Sequence, residues 1–319
     1  MFLTLFTSSF AEILKILLLG ILVAAIMGGL HIKQVFIDAL NFLFIRVTLP
    51  CLIFTNMAST FRPREMERWW IFPLLGIGHF LVGGLLAYGY TRLDKSVDNS
   101  EVFISSVAFH NSIILPLAIA PVLFGPEKLE RFLSLLFLYN LLAVPAFFTV
   151  GVWLMNRAHG IRVTLKHFIN PPNIATIAGL IVATTGFHMY VPTWLMEPLE
   201  MFGSLTTPLS MIIVGGIILV SISHASGKDL SDPIKITLLK CLVFPSIVCI
   251  CVCLFHPPEY IALFMILGST MPVGSTLAVI CPAEKRLQKL VAGGILFSSL
   301  ASIPAVSFFM SLYSIFYGT

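Results

Sequence analysis

The chain has 319 residues, of which 58% are hydrophobic and only 11% charged, against roughly 25% charged in a typical soluble domain. Together with a mean hydropathy of +0.98, this excludes a soluble globular enzyme, a disordered chain and a disulfide scaffold, and places the protein in a lipid bilayer. The formal net charge of +4 is small and dispersed, which excludes a nucleic-acid partner.

A spanning helix needs about 20 mostly apolar residues. Ten such segments succeed one another, over 10–30, 35–57, 70–90, 102–123, 132–155, 173–189, 194–220, 234–255, 260–280 and 287–316. The expected fold class is all-α integral membrane with ten transmembrane helices. The first segment lacks the basic flank of a cleaved signal peptide. The longest connectors, around 156–172 and 221–233, are too short for a soluble domain.

Basic residues orient the chain. The loops after the odd-numbered segments hold Lys33, Arg92, Lys95, Arg157, Arg162, Lys166, Lys228, Lys235, Lys285, Arg286 and Lys289, whereas the other side holds Arg62, Arg64, Arg68, Lys128 and Arg131. The positive-inside rule then puts both termini on the non-cytoplasmic side. Short loops and the lack of sorting segments suit a bacterial inner (plasma) membrane.

The two halves resemble each other at an offset of about 159 residues. Gly20-Ile-Leu-Val-Ala24 matches Gly179-Leu-Ile-Val-Ala183, and Phe44-x-x-x-Thr48-x-Pro50 matches Phe202-x-x-x-Thr206-x-Pro208. Leu117-Ala-Ile119 matches Leu277-Ala-Val279, and Val144-Pro-Ala146 matches Ile303-Pro-Ala305. Phe72-Pro73 and Phe244-Pro245 correspond at a longer spacing. With five segments in each half, 1–158 and 159–319, the second half enters the membrane from the opposite face. That is an inverted-topology repeat, common in secondary transporters.

Function in such folds sits in helices that break at mid-membrane. The fourth segment carries three consecutive polar side chains, His110, Asn111 and Ser112, followed by Pro116. Pro116 removes the backbone donor four residues after Ser112 and so leaves the Ser112 carbonyl without its helical partner. The ninth segment crowds Gly268, Ser269, Thr270, Pro272, Gly274, Ser275 and Thr276 into its centre. Unpaired polar groups are tolerable at that depth where they line a wet cavity. Two opposed half-helix N-termini, with free N–H groups and positive dipole ends, make an anion site without Lys or Arg.

These residues resemble the auxin efflux carrier family, which includes the plant PIN-FORMED carriers and bacterial malate and malonate carriers. The family's F-G-N-T-G-N-L-P-L is similar to Phe109-His-Asn-Ser-Ile-Ile-Leu-Pro-Leu117, its N-P-P to Asn170-Pro171-Pro172, and its M-P-P-A-T-N-L-A to Met271-Pro-Val-Gly-Ser-Thr-Leu-Ala278. The resemblance implies a ten-helix inverted-repeat carrier with crossing broken segments four and nine, an elevator-like movement and a homodimer. It implies that Asn111 is a substrate ligand and that Pro116 and Pro272 are helix breakers. His110 and Ile113 stand where the family usually has glycines, and Ile114 and Thr276 where it has asparagines.

No Asp or Glu lies in mid-membrane, which argues against an acid-dyad antiporter. His110 is the candidate for a proton-linked step, the alternative being a neutral histidine hydrogen-bonded across helices; only its apolar segment marks His79. Arg46 sits deep enough to assist an anionic substrate, and Lys240 is expected to snorkel to an interface. The six cysteines are apolar filler. No cofactor or metal is expected, since there is no H-E-x-x-H and no P-loop. The reading is a secondary transporter of a small organic anion, such as a mono- or dicarboxylate. His110, Asn111, Ser112, Thr270, Gly274, Ser275 and Thr276 form the substrate site. The alternatives are a proton- or sodium-coupled symporter of another solute, and a membrane-embedded hydrolase using Ser275 and a histidine.

Overall fold

The structure, a computed structural model, describes residues 2–28, 33–66, 68–155, 169–187, 191–224, 230–282 and 284–318. Arg157, Arg162, Lys166 and Lys228, which weighed in the charge count, lie outside the described residues.

Seven helices are long and apolar enough to cross a bilayer. They are α1 (Phe2–Gly28), α2 (Gln34–Thr60), α3 (Ile71–Leu93), α6 (Lys128–Met155), α8 (Thr193–Ile222), α9 (Ser231–Phe255) and α12 (Lys285–Tyr317). The three remaining expected segments are not single long helices. The fourth is split into α4 (Ser100–Ala108) and α5 (Ile114–Leu123), and the ninth into α10 (Glu259–Thr270) and α11 (Leu277–Ile280). The sixth, α7 (Pro171–Thr185), has 15 residues. It starts where the side chain of Asn170 accepts from the Asn173 amide at 2.9 Å, with prolines in its first turn. It stops at Gly186, whose φ of 74° is left-handed and free of penalty only for glycine.

Three of the long helices contain a π-turn, at Phe44–Thr48, Phe147–Gly151 and Leu239–Val243. Two have a visible cause. A proline ring collides with the carbonyl four residues before it, and Pro50 and Pro245 stand four residues after Arg46 and Cys241. Widening the turn relieves the clash without ending the helix. The same two π-turns carry the cations Arg46 and Lys240.

The helices form two groups. In one, α1 packs along α8, and α2 along α7 and the first half of α8. The pairs α1–α8 and α7–α2 are the ones that the sequence repeat would interchange. The α1–α8 contact is backbone to backbone: a Cβ on Gly215 would run into the backbone of Gly20 and Ile21. The second group holds α3, α4, α6, α9, α10 and α12. Its aromatic centre is Phe264, with Phe72, Phe132 and Tyr139 at ring distances of 5.0, 5.1 and 5.8 Å. Outward faces of α1 and α3 show Leu18, Leu22, Leu81 and Leu85, as lipid-facing helices must.

At one end of the second group, charged residues tie three elements together. Lys235 reaches Asp94 at 2.9 Å and Asp232 at 3.4 Å, and Arg286 reaches Asp98 at 2.6 Å. Hydrogen bonds from the Ser96 hydroxyl and amide, and from Lys235, hold the Asp94 carboxyl well below the usual carboxylate range. A carboxyl lowered in the folded state contributes stability that is present at neutral pH and lost only as acid protonates it. This linkage therefore survives mild acidification.

The close α1–α8 crossing gives a direct test. Gly215→Leu is expected to cost about 1–3 kcal/mol, as overpacking does, and to lower the melting temperature of the detergent-solubilised protein. Gly78→Ala, at a glycine with open space around it, should leave the melting temperature unchanged or slightly raised.

Candidate functional site

The two interrupted segments cross. Residues 109–113 and 271–276 run antiparallel and pair as an isolated β-bridge between His110 and Val273. The Asn111 amide donates to the Pro272 carbonyl at 2.9 Å, and the Gly274 amide donates to the Phe109 carbonyl at 2.9 Å. Gly274 suits the close approach, since a Cβ there would stand 3.3 Å from both the Phe109 and His110 carbonyl oxygens, tighter than most such contacts.

Side chains satisfy most of the backbone the bridge leaves over. The Asn111 side-chain oxygen accepts from the Ile114 and Leu115 amides at 3.1 and 3.3 Å and so caps α5. The Val273 amide donates to the Ser298 hydroxyl at 3.0 Å. The Ser112 carbonyl, orphaned by Pro116, accepts from the Asn140 side-chain amide at 3.0 Å, while the Ser112 hydroxyl donates back to Asn140 at 2.6 Å. Among the described residues, the amides of Ser112, Ile113, Ser275 and Thr276 and the Nδ2 of Asn111 have no acceptor.

Those groups border a cavity of about 320 Å³, within the size range of small-ligand sites, about 300–1,000 Å³. Its walls include Arg46, Phe80, His110, Asn111, Ser112, Ile113, Gly274, Ser275 and Thr276, with Asn170 at the start of α7. Arg46 is the one cation and no carboxylate is present among the described lining residues. A second space of about 20 Å³ lies against Leu17, Met211, Pro272 and Ser302, room for about one water. Asn111 and Ser275 line both spaces.

Of the expected site residues, His110, Asn111, Ser112, Gly274, Ser275 and Thr276 meet at this cavity. Thr270 does not line it: its side chain is fully buried and donates to the Leu267 carbonyl at 2.8 Å. Pro116 lies in the first turn of α5, just past the break, and Pro272 lies within the extended crossing. Two polar residues of α6 belong to the same neighbourhood, Tyr139 and Asn140. Tyr139 bridges the histidines, at 2.9 Å from His110 Nε2 and 3.0 Å from His79 Nδ1. Their signal in the sequence is a polar pair inside an apolar segment. Lys240 does not snorkel. Its side chain is fully buried, its ammonium has no hydrogen-bond partner, and it stands 4.9 Å from the Phe244 ring centre. It begins about 14 Å along α9 from Ser231, too deep to reach an interface. Ser275 makes no hydrogen bond to a histidine, and no metal-ligand cluster occurs, among the described residues.

A family model described as "membrane transport protein" matches residues 5–164 and 155–310. A comparison with curated proteins returned no match.

Asn140 and Ser112 form a two-way bond whose loss is measurable. Asn140→Leu is expected to cost about 1–3 kcal/mol, since it strands the Ser112 carbonyl. In a double-mutant cycle with Ser112→Ala, read by thermal unfolding in detergent, the two losses should fail to add by at least about 0.5 kcal/mol.

Proposed function

The chain belongs to the auxin efflux carrier family of membrane transport proteins, and we propose that it is a secondary carrier of small organic anions, such as mono- or dicarboxylates or auxin-like acids. The observation that carries this reading is the cavity at the crossing. Free N–H groups from both halves of the chain border it, Arg46 is among its walls, and no carboxylate is present among the described lining residues. A carboxylate accepts several such bonds at once, and charge-assisted bonds of this kind are roughly twice as strong as neutral ones. The positive end of α5 adds to the attraction.

The proposed topology has ten passes, counting each interrupted segment as one and α7 as a short one, in two inverted five-pass repeats. Loops expected on the cytoplasmic side supply Asp94, Lys95, Asp98 and Arg286, and the ion pairs around Lys235 draw three of these loops to one end. Both termini then lie outside. The group of α1, α2, α7 and α8 is the scaffold. The second group, with both half-helices, is the moving unit. Two spaces of unequal size flank one crossing, as alternating access requires, and elevator travel exchanges which of them is open. Arg46 belongs to the scaffold and Asn111 to the moving unit, so the anion meets the guanidinium on one side of the cycle only.

Charge movement on proteoliposomes, recorded on a solid-supported membrane with malate, malonate and indole-3-acetate, tests this reading alongside uptake of the labelled acids. Saturable currents or uptake are expected for at least one acid. Asn111→Ala and Arg46→Gln should each weaken apparent affinity about tenfold or more, the worth of a hydrogen bond to a charged group. Ser275→Ala should shift it less than about tenfold. Absence of both current and labelled uptake for every acid would overturn the proposal.

A further inference from the structure

His79, on α3, is buried and does not line the cavity, yet both of its ring nitrogens face backbone carbonyls. Nδ1 lies 3.0 Å from the Leu75 oxygen and Nε2 lies 2.9 Å from the Met265 oxygen. A carbonyl only accepts, and a neutral imidazole has one N–H. In the neutral ring Nε2–H donates to the Met265 carbonyl, and Nδ1, which is also 3.0 Å from the Tyr139 hydroxyl, accepts from it. A second proton on Nδ1 would find the Leu75 carbonyl and the Tyr139 oxygen as acceptors, so both charge states of the ring are hydrogen-bonded. The site is built around the ring: Gly268 leaves it room, since a Cβ there would stand 3.1 Å from the His79 Cε1 and from the Tyr139 hydroxyl.

A hydrogen-bonded chain leads to this ring from the cavity wall. His110 lines the cavity, and its Nδ1 is buried. Its Nε2 is 2.9 Å from the Tyr139 hydroxyl, which is 3.0 Å from His79 Nδ1. With His79 neutral, His110 Nε2–H donates to the Tyr139 oxygen, and Tyr139 O–H donates to His79 Nδ1. A proton arriving at His110 Nδ1 releases the Nε2 proton to the Tyr139 oxygen. Tyr139 passes its own proton to His79 Nδ1. One proton enters, one resides on His79, and Tyr139 and His110 stay neutral.

We propose that His79 is a proton-binding site, loaded from the substrate cavity through His110 and Tyr139, and that the carrier moves one proton with its anion. This rests on the anion-carrier reading. The groups facing His79 are Tyr139 from α6 and His110 from the crossing, and Lys240 of the α9 π-turn lies against the Phe244 ring that also packs on His79. The stretch of α10 against the ring offers the Met265 carbonyl and Gly268, neither of them titratable. Lys240 is thus the one amine among these groups. Like charges repel, so Lys240 gives the bound proton a reason to leave. The anion in the cavity offsets that repulsion, and loading of the two is linked.

Two measurements on the whole protein test the proposal. The first is nitrogen-15 NMR of the ring nitrogens in histidine-labelled protein in nanodiscs, titrated over about pH 5 to 8. A doubly protonated ring that titrates in this range and vanishes in His79→Gln is expected, and Tyr139→Phe should slow its exchange with solvent. The second is uptake of labelled malonate into proteoliposomes with the membrane potential clamped at zero. One-to-one coupling should let each pH unit of inward gradient raise accumulation up to about tenfold, and His79→Gln should lose that response. A His79 ring that keeps a single proton throughout, or uptake indifferent to the gradient, would overturn the proposal while leaving the carrier intact. No malonate uptake at any pH beside a titrating His79 ring would instead count against malonate as substrate, with the proton site upheld.

Discussion

The structure depends on one constraint: backbone N–H and C=O groups in a hydrocarbon layer must be satisfied within the protein. Breaking two helices at the same depth violates that rule unless each broken stretch finds partners. Crossing them is the economical answer, because each extended stretch then serves the other as a strand. The amides of Asn111 and Gly274 are paired across the bridge. Asn111, Asn140 and Ser298 supply side chains for the next layer. What remains unpaired is a small set of N–H groups, and these border the cavity. The site is the residue of this accounting. Its donors are free because the fold uses the others.

The breaks and their polar residues were legible in the sequence. Consecutive polar side chains followed by a proline have few other uses at mid-membrane, and the orphaned Ser112 carbonyl follows from Pro116 alone. The Asn170 cap and the Gly186 stop are local signals, and α7 obeys them. Its shortness follows from Gly186, which ends the helix before the apolar run does. The supporting residues were hidden for the opposite reason. Tyr139, Asn140 and Ser298 lie far from the crossing in sequence, in helices whose own backbone is intact, and only packing brings them near. Lys240 misled because position along a helix suggests depth but not direction. Its π-turn, set by Pro245, turns the side chain into the protein.

The two intramembrane cations share that origin. Each sits in a π-turn that a downstream proline imposes, Arg46 before Pro50 and Lys240 before Pro245. A π-turn aims side chains differently from the regular helix around it. In α2 the result is an arginine that lines the cavity with its guanidinium 5.5 Å from the Phe42 ring, and in α9 a lysine inside the protein with only an aromatic face for company.

The departures from the family's usual motif fit the same logic. Glycines at positions 110 and 113 would leave the crossing lean and supply no titratable group, and asparagines at 114 and 276 would fill it with amides. This chain has an imidazole, two isoleucines and a hydroxyl there instead. Each Asn replaced removes a side-chain donor from the cavity wall, which leaves backbone N–H groups, the Asn111 amide and Arg46 as donors there. An amide-poor, amide-backbone site favours a ligand that is charged and small over one that is neutral and rich in its own donors. The imidazole at 110 meanwhile gives the cavity a titratable wall that a glycine could not. Fewer fixed dipoles around a carboxylate, beside a histidine pair bridged by a tyrosine, make the charge state of the pair matter more to the anion.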